Sequence, residues 1–288
     1  MSPDGTSSST EPSRPNPLIR WFMPLVGVAI FVLLWWLGTT VLTPESSFLR
    51  RFAPDRTATA LVTLVGSGQV WVHLFASLRR IAVGLFLSAS IGIPIGLALG
   101  GSRRFAQGAG PMFQFLRMVS PLSWTPLAII LLGVGDAPVY FLIAIAGVWP
   151  IALNTAAGVA ALDPRWLIVG RSLRASRLEL ARAIVWPGIR PHVLTGLRLT
   201  VGLAWIVLVP AEMLGVDSGL GYFILDTRDR LAYSELMAAI IVVGVCGFLI
   251  DSLTRWVMTE RRAPLRASTL RQSAAPETGT LGASHLTG

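Results

Sequence analysis

The sequence predicts an all-α polytopic membrane protein with about six transmembrane helices and a basic two-helix loop on the cytoplasmic side. Three observations carry this. Mean hydropathy is +0.64 and only 14% of the 288 residues are charged, too little polar surface to cover a soluble core of that size. Long uncharged runs alternate with short arginine-bearing segments. One such segment, Asp163 to Pro191 (DPRWLIVGRSLRASRLELARAIVWPGIRP), is a basic amphipathic stretch between two apolar runs.

In chain order, Met1 to Pro17 is rich in Ser, Pro and Thr and predicts a disordered cytoplasmic tail. Arg14 and Arg20 precede the first span, Trp21 to Pro44, which is too long for a cleaved signal sequence and is expected to be retained. Phe48 to Arg80 mixes polar, aromatic and basic residues, and a helix at the outer interface is expected within Thr57 to Leu78. The second span, Ile81 to Gly101, carries Gly84, Gly92, Gly96 and Gly100, a spacing that permits close helix contact in a bilayer. Arg103 and Arg104 follow in a short inner loop. The third span, Ala109 to Gly133, holds Pro111, Pro121 and Pro126, which predict a kink. The turn GVGDAP leads to the fourth span, Val139 to Leu162.

Next comes the Asp163–Pro191 segment. Asp163 before Pro164 is an N-cap followed by proline at the first helical position, and Ser176 with Glu179 has capping-box spacing, so two short helices are expected with a break near Arg174 and Ala175. Leu178, Ala181 and Val185 give the second helix an apolar side, and Pro187, Gly188 and Pro191 are expected to end it. The fifth span is Val193 to Leu214. Gly215 to Glu235 is acidic and expected outside. The sixth span, Leu236 to Met258, places Asp251 and Arg255 at i,i+4 spacing near its inner end, a structural pair. The domain reading is a tail over residues 1–20, a membrane domain over 21–258 and a second, disordered cytoplasmic tail over 259–288.

Arginine counting orients this arrangement. With the N-terminus inside, the inner segments hold sixteen arginines and the outer loops seven, with Arg117 inside the third span, so both termini are expected in the cytoplasm. The chain contains no lysine, which excludes a P-loop of the form G-x-x-x-x-G-K-[ST]. A net charge of +9 fits basic membrane loops better than nucleic-acid binding. Cys246 has no partner for an internal disulfide, and His73, His192 and His285 lack metal-ligand spacing.

Ionisable residues within spans are functional candidates. Arg117 lies about 12 Å into the third span, where it either attracts an anion or snorkels to headgroups. Glu212, near the outer end of the fifth span, either gates the outer mouth or caps the bundle. Trp124, Trp149, Trp205 and Asn154 are candidates to line a path, against the alternative that they pack or anchor. The Asp163–Pro191 segment itself either docks a partner or lies on lipid headgroups.

The spacing around that segment resembles a family. The inner-membrane permeases of binding-protein-dependent ABC importers, in the branch handling nitrate, sulfonates and taurine, carry a loop E-A-A-x-x-x-G-x9-I-x-L-P. On this chain the glycine falls at Arg174, the isoleucine at Ile184 and the proline at Pro187, while Ile168 occupies the glutamate position. Similarity extends over roughly Leu74 to Val257, including FQFLRMVSPLSWTPLA, LTGLRLTVGLAW and AEMLGVDSGLGYFILD.

The resemblance implies a permease subunit of the bacterial inner membrane, without catalytic residues or cofactors of its own. ATP and Mg would sit on a partner ATPase dimer, and Arg171, Ser172, Leu173, Arg174, Ala175 and Ser176 would dock into it. A second permease copy and a periplasmic or lipid-anchored solute-binding protein complete the implied assembly, with a small anion such as a sulfonate, taurine or nitrate as cargo. A membrane-embedded enzyme would need a clustered nucleophile, acid and base, and a scaffold protein would not need the loop spacing.

Overall fold

The computed structural model describes residues 17–44 and 47–259; the expected tails, over 1–16 and 260–288, lie outside these. Every regular element among the described residues is helical. Four helices are long and apolar enough to cross a membrane: Gln69–Gly101, Asp136–Ala160, Arg177–Glu212 and Tyr233–Val257. A fifth span results if a bent pair counts as one, and Leu25–Val41 is a shorter apolar stretch.

The chain forms two compact units. In the first, residues up to Gly68 join Thr227–Ala239. Helix α1 (Pro17–Trp36) runs into a π turn, and α2 (Pro54–Gly66) starts on its proline and buries Thr57 and Leu64. Between them, Trp35 Nε1 donates to the Phe52 carbonyl at 3.0 Å. Phe48 and Tyr233 meet edge to face, with centroids 4.5 Å apart, and Ser234 Oγ donates to the Arg51 carbonyl at 2.9 Å. The helix expected within 57–78 is thus α2, and it stops ahead of Gly68.

The second unit contains Gln69–Asp226 and the chain from Ile240 onward. Its α3 (Gln69–Gly101) begins well before the expected Ile81, so Ser77 joins the spanning helix, and Arg79 and Arg80, which the sequence could place at its foot, lie well inside it. The glycine row in α3 faces α6 (Asp136–Ala160). A Cβ on Gly96 would lie 2.5 Å from the Ala152 carbonyl, and one on Gly92 would lie 2.9 Å from that of Val148. Only glycine lets the two backbones approach this closely. Ile143, Leu142, Ala204 and Leu208 build the apolar core where α6 meets α9 (Trp186–Glu212).

Two expectations about proline are revised. The kink expected in the third span is a full break between two helices. The span is α4 (Arg103–Met118), a 3₁₀ turn at Pro121–Trp124 and α5 (Thr125–Leu132), bent by 90°. Ser120 precedes Pro121 and is held extended, with ψ 130, because the proline ring disfavours helical backbone before it. The second correction is that Pro187, Gly188 and Pro191 do not end the helix before the fifth span. After α7 (Pro164–Ser172) and α8 (Arg177–Leu180), a π turn over Ala181–Val185 leads directly into α9, with Pro187 in its first turn. The wider turn falls where Pro187 lacks an N–H, so helical continuity survives the missing donor.

The acidic stretch contains α10 (Leu220–Asp229), and α11 (Tyr233–Thr259) closes the described chain. In α11, Asp251 and Arg255 pair at 2.5 Å.

Candidate functional site

The Asp163–Pro191 segment folds by its local signals. Asp163 Oδ1 accepts from the Arg165 N–H at 2.9 Å, and Ser176 and Glu179 form both halves of a capping box. The Glu179 carboxylate accepts from the Ser176 N–H at 2.7 Å. That bond, followed by one to the Ser176 hydroxyl, holds the carboxyl below its ordinary pKa of 4.5. Gly170 is buried beneath Leu180 and Ile184, so a Cβ there would collide with the Leu180 side chain.

Between α7 and α8, Arg174 takes a left-handed backbone, φ 57. The loop spacing of the family this chain resembles has a glycine at this position, and the geometry is one that glycine adopts without strain. The turn projects Leu173, 78% exposed, with Arg171, Ser172, Arg174 and Ser176 also exposed. Ala175 is half-buried. Ile184 faces inward on Gly170 and belongs to the support of the turn, while Pro187 is exposed on α9.

Arg117 and Trp149 are brought together. They line a cavity of about 80 Å³ between α4 and α6, with Gln114 beside Arg117 and Ile95 of α3 opposite. Phe113 leans on Trp149, with centroids 5.8 Å apart. The other candidates lie elsewhere. Trp124 and Trp205 pack against the core, and Trp205 also fills the space over Gly247. Asn154 donates to the Pro150 carbonyl of its own helix at 2.8 Å, and its Cβ sits against Gly196 of α9.

Glu212 is fully buried at 0% exposure and paired with Arg80, 1% exposed, Nη1 to Oε1 at 2.7 Å. Arg80 also donates to Asp136 Oδ1 at 2.8 Å and to the Ser218 carbonyl at 2.7 Å. The remaining lone pairs of Glu212 are filled by Ser77 Oγ at 2.8 Å and the Gly221 N–H at 2.9 Å. Ser77 Oγ accepts from the Leu220 N–H, and His73 Nδ1 accepts from Gly219 at 3.2 Å. Gly219 has φ 107, and a Cβ there would press on Arg80 Nη1 at 2.5 Å, so this loop position requires glycine twice over.

Sequence reasoning missed this network because it began the second span at Ile81, with Arg80 at most at its foot and His73 and Ser77 outside it. Their i, i+4, i+7 spacing, one face of a helix, was the available signal. Among the described residues no three His, Cys, Asp or Glu side chains are placed to hold a metal.

Residues 92–262 match the family described as binding-protein-dependent transport system inner membrane component. The bicarbonate transport system permease protein CmpB of Synechococcus elongatus is 33% identical, covering 85% of this chain and 93% of the relative. The nitrate import permease protein NrtB of Synechocystis is 37% identical over 62% of this chain and 66% of its own length. The taurine transport system permease protein TauC of Escherichia coli is 32% identical over 82% and 87%. Among solved structures, an inward-facing form of the MetNI methionine ABC transporter has a TM-score of 0.57 at 13% identity, covering 67% of this chain and 95% of that one.

Proposed function

The chain belongs to the binding-protein-dependent transport system inner membrane components, and we propose that it is the permease of an ATP-driven importer for a small oxyanion. The exposed turn at Arg171–Ser176 carries this reading. It presents Leu173 between two arginines at the tip of a capped helix pair, a knob suited to an apolar cleft rimmed by carboxylates on a separate ATPase. Lying on headgroups is the weaker alternative. Gly170, Leu180 and Ile184 lock α7 against α8, which makes the turn a rigid lever rather than two independently floating helices.

Both termini face the cytoplasm in this reading, a second copy completes the pathway, and a solute-binding protein delivers cargo from outside. ATP binding would close the ATPase pair and carry the docked turns with it, and the permease would exchange two packings of the same helices. Oxyanions are favoured as cargo because relatives named for bicarbonate, nitrate and taurine transport align over most of the chain.

The test is copurification in mild detergent followed by ATPase assay. Associated ATPase activity that rises with the binding protein encoded beside this gene supports the reading, and its complete absence overturns it. Leu173→Glu is expected to insert normally yet lose uptake, whereas normal uptake would remove Leu173 from the contact.

A further inference from the structure

We infer that α4 carries an anion-binding wall of the translocation path, in which Arg117 and Gln114 hold the oxyanion group of the solute against Trp149. This rests on the permease reading and adds to it the group on the permease that recognises the cargo.

Helix α4 is exposed along one broad side whose chemistry changes across its width. Arg103, Gln107, Gly110, Gln114 and Arg117 fall on one face at intervals of three or four residues, while Phe105, Met112 and Phe115 fall on the other and are also exposed. The polar and apolar residues thus lie at the two edges of that exposed side. The polar face is the one that reaches the cavity, through Gly110, Gln114 and Arg117.

The cavity runs from Leu99 and Arg117, in the last turns of α3 and α4, to Trp149 near the middle of α6. Its walls are mainly apolar side chains, so a guanidinium at its edge is favourable only with water or a partner. Among the described residues no carboxylate pairs with Arg117. This contrasts with Arg80, whose guanidinium is saturated by Glu212, Asp136 and Ser218. The guanidinium fork matches two oxygens of a planar or tetrahedral oxyanion, and the Gln114 amide supplies further donors. At about 80 Å³ the space exceeds the roughly 10–15 Å³ that one water needs, and its Trp149 and Ile95 walls suit a short alkyl tail as well as an inorganic anion.

The test uses the permease–ATPase complex in lipid nanodiscs with Cys246→Ser and Gln114→Cys. A negatively charged methanethiosulfonate is expected to label residue 114 at least about tenfold faster than a positively charged one, through the nearby guanidinium. Added Arg117→Gln should bring the ratio close to one, and Arg117→Lys should retain most of it. Nitrate or ethanesulfonate should slow labelling in the Arg117 protein only. No labelling by either reagent, or a ratio indifferent to Arg117→Gln, overturns the site. ATPase activity of the parent complex, with Gln114 and Arg117 intact and stimulated by binding protein, reports separately on the permease reading, so the site can fall while that reading stands.

Discussion

Arg80 and Glu212, 132 residues apart in sequence, form an ion pair at 2.7 Å from which water is excluded on both sides. It fastens α3 to the last turn of α9 and, through Ser218 and Gly221, to the loop before α10 and to the first turn of α10. Taking two charges out of water costs several kcal/mol per ion, so the pair persists only because nearly every donor and lone pair is used. Asp136, 31% exposed, shares the arginine from α6 and is itself flanked by Arg79 and Tyr140.

Breaking this pair one side at a time is therefore expected to be worse than removing it. Arg80→Met should destabilise the detergent-purified protein by about 3–5 kcal/mol, because it leaves the Glu212 carboxylate buried without its counter-ion; Glu212→Leu should cost less, because Asp136 still pairs with Arg80 at 2.7 Å; and the double variant should recover much of the Arg80→Met loss. Thermal unfolding followed by tryptophan fluorescence checks the order of midpoints. Additive losses would show that the two residues act independently.

The α3–α6 contact makes a second prediction. Gly96→Ala sets a methyl 2.5 Å from a backbone carbonyl that cannot swing aside, and should cost about 1–3 kcal/mol. Gly108→Ala in α4 meets nothing within 4 Å and should be neutral or slightly stabilising, by up to about 1 kcal/mol from helix propensity. Equal thermal midpoints for the two variants would refute the close-packing account.

How much of this was legible in the sequence depended on range. The glycine row, the Asp163 N-cap and the Ser176–Glu179 box are local patterns, and each formed as its spacing dictates. Proline misled in both directions. Pro187 sits in a first turn after a π turn and is tolerated, whereas Pro121 follows an extended Ser120 and breaks its span outright. The Arg80–Glu212 pair was out of reach, since nothing local says which of many arginines meets which acid. Arg117 and Trp149 were each visible as candidates, but only the fold brings them to one cavity.

Arg174 gives a third prediction. A non-glycine residue in left-handed backbone costs roughly 1–2 kcal/mol, so Arg174→Gly should tighten the turn and Arg174→Val should loosen it. Amide hydrogen exchange across Ser176–Leu180 reads this directly: slower than the parent in the glycine variant, faster in the valine variant. If the glycine variant exchanges faster, the arginine side chain holds the turn and backbone strain is not the controlling factor.

The capping box makes the fourth prediction, and its pH dependence has a definite sign. Ser176→Ala removes the acceptor for the Glu179 N–H and should weaken α8 by about 1 kcal/mol, seen as faster exchange over Arg177–Leu180. Glu179 contributes from the other direction. Its folded pKa lies below its ordinary 4.5, so its contribution is complete above that value and is lost as pH falls through the depressed folded pKa. Protection of these amides, corrected for intrinsic exchange, should therefore be flat from about pH 6 upward and fall only in acid. Glu179→Gln should abolish the acid-side loss while leaving a weaker neutral acceptor for the Ser176 N–H. Protection that instead falls as pH rises through neutrality would mean that another group, not Glu179, controls the turn.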